Sequence, residues 1–117
     1  MIFDLVRKLL SFFKTSELEA NLFSQQGHRG KAEVEIRQRG NVFAIELEVK
    51  HSDLSDGSLC EFFVRDQKLG TLQISGGFGK TRFETQDRNL TSVLDTGAEV
   101  AVKVGDSIVY TGTLRYD

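Results

Sequence analysis

The stretch Lys31–Lys50 constrains the fold more than any other part of this sequence. Apolar and polar residues alternate on both sides of Gly40-Asn41, in the pattern KAEVEIRQRGNVFAIELEVK. Because successive side chains on a β-strand point to opposite faces, the pattern predicts two strands that share one apolar face and one charged face. Gly followed by Asn is typical of a tight hairpin turn, since glycine accepts the positive φ that the turn requires. The apolar face of this hairpin must be buried against further strands.

The same alternation predicts a second hairpin from Leu59–Arg65 and Leu69–Ile74. We expect its loop to comprise residues 66–68, because this length pairs Phe62 with Leu72 and keeps the apolar residues on one face. A two-residue loop would place Phe62 opposite a threonine and break the pattern. The second hairpin is therefore predicted to add two strands to the same core.

A third hairpin is predicted between Ala98–Val104 and Ile108–Tyr116, and Lys80–Thr85 reads as one more strand. The loop of this hairpin is expected at residues 105–107. Seven short strands without long helices between them predict an all-β fold, a seven-strand antiparallel immunoglobulin-like β-sandwich. The parity of the strands predicts this core: Val34, Ile36, Phe43, Ile45, Leu47, Val49, Cys60, Phe62, Leu72, Ile74, Phe83, Val100, Val102, Ile108, Tyr110 and Leu114.

Residues 2–14 carry the period of an amphipathic α-helix. One half of the helical wheel is apolar and consists of Ile2, Phe3, Leu5, Val6, Leu9, Leu10, Phe12 and Phe13. The other half is polar and consists of Asp4, Arg7, Lys8, Ser11 and Lys14. Two interpretations stay open: the helix covers an open face of the sandwich or a partner subunit, or it lies in the plane of a membrane surface.

The rest of the N-terminal region completes the predicted domain organisation. Ser16 and Glu19 have the spacing of a capping box, which predicts another helical turn that carries Leu18, Leu22 and Phe23. The predicted division is therefore a helical segment at residues 1–23, a linker at 24–30 and a β-sandwich at 31–117. Residues 86–97 are expected to contain one short helical turn.

Composition and motifs argue against most classes of activity. The net charge of −2 lacks the basic excess typical of nucleic-acid binding, and the single cysteine, Cys60, excludes an intrachain disulfide and a cysteine-based zinc site. The glycine-rich run SGGFGKT resembles a phosphate-binding loop, but Ile74 occupies the position where that loop needs glycine. We therefore expect a non-enzymatic protein without a cofactor. A cytoplasmic location is expected, with peripheral membrane attachment as the alternative.

The charged face of the first hairpin is a second candidate surface. The expected register places Glu33 opposite Glu48 and Glu35 opposite Glu46, with Lys50 diagonal to Glu33. Like charges directly opposite each other are mildly destabilising, so this acidic square predicts either a binding patch for a cation or basic partner, or a solvated outer face. Repulsion alone predicts that replacing Glu35 and Glu46 with Gln raises stability.

Residues 30–117 resemble small β-sandwich repeat modules of bacterial surface and secreted proteins. The resemblance lies in the motifs GKAEVEIRQRGNVFAIELEV, DLSDG, VRDQKLGTLQI and GDSIVYTGTL. It implies a sandwich fold and assigns no site.

The functional expectation is a binding or assembly module that associates with itself, a partner protein or a membrane surface. The candidate binding residues are Ile2, Leu5, Val6, Leu9, Phe12 and Phe13 in the N-terminal segment and Glu33, Glu35, Glu46 and Glu48 on the hairpin.

Overall fold

Antiparallel pairing joins nine strands into one continuous sheet in the computed structural model, which describes residues 17–116. The elements are β1 (Glu17–Ser24), β2 (Lys31–Arg39), β3 (Val42–Lys50), β4 (Leu59–Val64), β5 (Gln67–Gln73), β6 (Gly79–Thr85), α1 (Arg88–Thr91), β7 (Glu99–Val104), β8 (Ser107–Thr113) and β9 (Arg115–Tyr116). The all-β class and the antiparallel pairing are confirmed. The predicted helix at residues 2–14 lies outside the described residues.

The sheet has the strand order β5-β4-β7-β8-β1-β2-β3-β6, with β9 paired to β1. It is nearly closed into a barrel, because its end strands β5 and β6 are joined by a tight connection in which Ser75 and Phe78 form an isolated bridge. The predicted sandwich of seven strands is therefore wrong in its strand count and in its division into two sheets. The physical reason is β1, which pairs with β2 on one side and with β8 on the other.

The helical turn predicted within residues 17–23 is also wrong, since these residues belong to β1. Leu18, Ala20 and Leu22 are buried and alternate with residues that face outward. Leu18 and Leu22 share a face in a helix and in a strand, so their spacing does not distinguish the two. In the structure these residues are extended because β1 pairs with β2 and with β8. The linker was predicted one residue too early, because Ser24 belongs to β1; residues 25–30 connect β1 to β2 and include a positive φ at Gly27.

The hairpin of β2 and β3 has the predicted register, with Arg39 opposite Val42 and Lys31 opposite Lys50. The turn residue Gly40 has φ +62°, whereas Asn41 is not among the residues with positive φ. A positive φ at the first turn position alone fits a type II′ turn, whose twist matches that of the strands.

The predicted loops of the other two hairpins are one residue too long. Arg65 and Asp66 alone connect β4 to β5, and a β-bulge next to Phe62 places that residue opposite Gly70 instead of Leu72. The bulge keeps the apolar residues on one face although the turn is short. Gly70 leaves room for neighbouring side chains, because a Cβ there would lie 3.0 Å from a methyl carbon of Leu47.

A second bulge lies between β7 and β8, whose turn is Gly105-Asp106. It buries the consecutive residues Val109 and Tyr110 and leaves Ile108 38% exposed. The prediction that Ile108 belongs to the core is therefore wrong. The other predicted core residues are buried or pack against the core, Phe43 and Phe83 being the partly buried ones. The predicted short helix is confirmed as α1, which buries Leu90 and is capped by Asp87.

We predict that Cys60 reacts slowly with thiol reagents in the native protein. Its side chain is fully buried, and burial raises the pKa of the thiol to about 11, so the reactive thiolate is scarce at neutral pH. Labelling in buffer and in denaturant, followed by mass spectrometry, measures this protection. Modification at equal rates in both conditions would contradict the inward orientation of Cys60 on β4.

Candidate functional site

The four predicted glutamates lie together on the outer face of the sheet. Glu33 is directly opposite Glu48, and Glu35 is directly opposite Glu46, in the register predicted from the sequence. They are half-buried rather than fully exposed, so water screens them less and neighbouring charges affect their stability more strongly. The geometry of the predicted acidic square is therefore present.

Strand β6 places two cations beside this square. In the register of β3 and β6, Lys80 lies opposite Glu48 and Arg82 lies opposite Glu46. The Nζ atom of Lys80 is 3.2 Å from Glu46 and 3.7 Å from Glu48, and the Nε of Arg82 donates to Oε2 of Glu46 over 3.0 Å. The sequence did not reveal these partners, because β3 and β6 are distant in the chain and only the folded sheet pairs them.

Lysines of the hairpin itself neutralise the other side of the square. The Nζ of Lys50 lies 3.1 Å from Glu48 and 3.9 Å from Glu33, and the Nζ of Lys31 also lies 3.9 Å from Glu33. The diagonal contact between Glu33 and Lys50 that the sequence predicts is therefore present. Three of the four glutamates are ion-paired, and Glu35 is the member with no ion pair within 4.0 Å among residues 17–116.

The pKa values show that these pairs favour the charged forms. The hydrogen bond from Arg82 lowers the pKa of Glu46, and the same bond raises the pKa of Arg82. The hydrogen bond to Glu48 raises the pKa of Lys50. Opposite charges at hydrogen-bond distance produce shifts of these signs. The face is consequently a paired surface of mixed charge and not a free acidic patch.

A shallow concavity of about 240 Å³ lies on this face above Ala44. Arg37 and Glu84 flank Ala44 in the cross-strand register, and the small side chain between them forms the floor. Its remaining lining residues are Glu35, Ile45, Glu46 and Arg82. Positive and negative side chains both line the concavity, so it does not favour the binding of a simple cation or a simple anion.

A polar cluster fastens two loops at one end of the sheet. The buried Tyr110 donates its phenolic proton to the carbonyl oxygen of Arg29 over 2.6 Å, and its oxygen lies 2.8 Å from Oγ of Ser52. Asp53 accepts from the backbone N–H of Arg29 and lies 3.5 Å from Nδ1 of His28. Desolvation by burial raises the pKa of Tyr110, and the N–H of Arg29 lowers the pKa of Asp53. These contacts hold residues 25–30 against residues 51–54. We therefore interpret the cluster as a fastening between two loops and not as a binding site.

The outer face also carries a row of two phenylalanines, an alanine and a threonine that the sequence did not reveal. Phe63, Ala101, Thr111 and Phe23 lie opposite one another on β4, β7, β8 and β1, and we call these four residues the outer stripe. Phe23 is 68% exposed, and the Nζ of Lys103 lies 5.0 Å from the ring centre of Phe63. The sequence did not predict the row, because its four residues come from four separate strands.

The outer stripe has polar boundaries. At one end Lys68 of β5 lies opposite Phe63, and at the other end Lys31 of β2 lies opposite Phe23. Ile108 lies opposite Lys103 in the neighbouring row and adds an exposed apolar side chain. Phe23 is the one exposed side chain of the stripe, and the other three are half-buried. An exposed aromatic side chain with a polar rim is typical of interaction surfaces.

The apolar candidate residues Ile2, Leu5, Val6, Leu9, Phe12 and Phe13 lie outside the described residues. Within residues 17–116, no three His, Cys, Asp or Glu residues are arranged to hold a metal ion. In the same range, no helix has the length and apolarity needed to cross a membrane. No family model matches the chain, and no curated protein matches it either.

We predict that Glu46→Gln lowers the free energy of unfolding by roughly 0.2–1 kcal/mol, the range of a solvent-screened surface pair. The neutral side chain loses its ion pairs with Lys80 and Arg82. This sign is opposite to the one that repulsion within the acidic square alone predicts. Glu84→Gln is the matched control, because Glu84 is exposed and has no ion pair within 4.0 Å among the described residues.

Denaturant unfolding as a function of pH measures the effect. Because the pKa of Glu46 is lowered in the folded state, its contribution is complete above the ordinary value of 4.5 and is lost as the pH falls through the folded-state pKa. A Glu46→Gln protein that is more stable than the wild type at neutral pH would contradict the pairing.

Proposed function

We propose that this protein is a non-enzymatic assembly module whose copies associate through the amphipathic segment at residues 2–14. The observation that supports the proposal is that residues 17–116 bury an apolar core of their own, made by both halves of the sheet. In that range every buried polar side-chain atom has a hydrogen-bond partner. The proposal therefore assigns the apolar half of the segment to a surface outside this core.

The segment itself provides the driving force for association. It contains eight apolar residues on one half of its predicted helix. Burial of a large apolar side chain contributes roughly 1.5–3 kcal/mol, so leaving this half in water is unfavourable. A helix with such a face is stabilised when another surface covers it.

Charge favours another copy of the chain over a membrane as that surface. The segment has a net charge of +2, which leaves −4 on the rest of the chain. The basic half of the segment is attracted both to anionic lipid and to the acidic body of another copy, but the acidic body itself is repelled from anionic lipid. The experiment below distinguishes self-association from binding to another protein or to a membrane surface.

The alternative function, a cation- or basic-ligand-binding face formed by Glu33, Glu35, Glu46 and Glu48, has less support. Lys50, Lys80 and Arg82 already occupy three of these carboxylates. A cationic ligand would have to displace these lysines and the arginine, which costs the existing pairs. The cytoplasmic location and the relationship to β-sandwich modules of surface proteins are further proposals.

We predict that Leu9→Glu converts the associated full-length protein into a monomer, while Ser11→Glu leaves it associated. Both substitutions add one negative charge, but Leu9 belongs to the apolar half of the segment and Ser11 to the polar half. Sedimentation velocity over a range of protein concentrations measures the change. Removal of residues 1–14 is expected to give a folded monomer, because the core lies within residues 17–116.

Two results would contradict the proposal. The first is a wild-type chain that stays monomeric and lipid-free at high concentration and unfolds when residues 1–14 are removed. The second is wild-type protein that is monomeric in solution but co-sediments with anionic vesicles, with Leu9→Glu abolishing this binding; the segment would then be a membrane anchor.

A further inference from the structure

We infer that the outer stripe is the surface that binds residues 2–14 of a second copy of this chain. The inference rests on the proposed function, because it names the binding partner of the same segment. The stripe is formed by Phe63, Ala101, Thr111 and Phe23, which lie opposite one another across four strands. It crosses the strands instead of following one of them.

The length of the stripe matches the segment. Three steps between neighbouring strands, each about 4.8 Å, give a row roughly 14 Å long between the outermost backbones. A helix of thirteen residues is about 20 Å long, so it covers the row and the side chains at both ends. Lys68 and Lys31 end the row on either side. Lys68 is paired with Glu61 and Lys31 with Glu33, which reduces the repulsion that these lysines exert on the basic half of a bound segment.

The connection to β1 prevents the segment from lying along the stripe of its own copy. Glu17 and Phe23 are six residues apart on β1, which corresponds to roughly 20 Å. Only two residues separate Lys14 from Glu17, so these two positions are at most about 11 Å apart. A helix lying along the stripe would therefore end too far from the Glu17 of the same chain.

A second path within one copy, back along β1, has a poor surface. A helix that folds back along β1 would cover Glu19 and Asn21 before its far end reached Phe23. Its apolar half would then remove polar groups from water without replacing their hydrogen bonds, which is unfavourable. A second copy has no such restriction and can place its segment across the strands.

Exchange of segments between two copies also satisfies symmetry. In a twofold dimer each copy contributes the same surfaces, so one segment and one stripe per copy give two equal contacts. Phe23 is the most exposed residue of the stripe and lies on the strand that follows the segment. Phenylalanine is among the residue types that are enriched at interfaces.

The test uses full-length protein and sedimentation equilibrium. Phe23→Asp and Ala101→Arg place a charge on the stripe, and each is expected to raise the dimer Kd at least about tenfold. Phe78→Asp is the matched control, because Phe78 is an exposed aromatic residue in the connection between β5 and β6. Its Kd is expected to equal that of the wild type. Thermal unfolding of each variant establishes that it is folded, and Ala101→Arg replaces Phe23→Asp if the latter is not.

The outcomes separate this inference from the proposed function. Both hold if Leu9→Glu, Phe23→Asp and Ala101→Arg weaken the dimer and Phe78→Asp and Ser11→Glu do not. If Leu9→Glu dissociates the dimer and the folded stripe variants leave it intact, the stripe is not the binding surface and the proposed function stands. If the stripe variants dissociate a dimer that Leu9→Glu leaves intact, or if the wild type is monomeric, both are wrong.

Discussion

The pairing of β1 with two neighbours is the interaction on which the rest of this structure depends. Strands β5, β4, β7 and β8 form one half of the sheet, and β2, β3 and β6 form the other half. β1 joins the halves by pairing with β2 along its length and with β8 at Phe23 and Ser24. Because the halves share one sheet, a single inner face encloses the core. Gly112 permits the close approach of β8, since a Cβ there would lie 2.4 Å from the carbonyl oxygen of Asn21.

Local features were predictable because neighbouring residues determine them. The Gly40-Asn41 turn and the alternation around it gave the register of β2 and β3, including the pairing of Glu35 with Glu46. The two bulges were not predicted, because the alternation of apolar residues was extended through each hairpin without an extra residue, and each bulge adds one residue to one strand. Strand β1 was missed for a related reason: its apolar spacing fits a helix equally well, and its two neighbours are determined by the fold.

The same distinction explains the candidate surfaces. The glutamates of the acidic square could be placed from one hairpin, but Lys80 and Arg82, which neutralise it, come from β6. Pairing turned a candidate cation site into a stable mixed-charge face. The outer stripe draws its four residues from four strands, so it exists only in the folded sheet. Phe23 is 68% exposed, and the proposed binding of residues 2–14 from a second copy would cover it.

The central claim is that the N-terminal segment of one copy contacts the outer stripe of another. Isotope-filtered nuclear Overhauser spectroscopy on a dimer of one labelled and one unlabelled copy measures such contacts directly. The account predicts cross-peaks between the methyl protons of Ala101 or Thr111 in the labelled copy and the aromatic protons of Phe12 or Phe13 in the unlabelled copy. A dimer whose Phe12 and Phe13 contact Ala101 and Thr111 only within the same copy, or not at all, would contradict it.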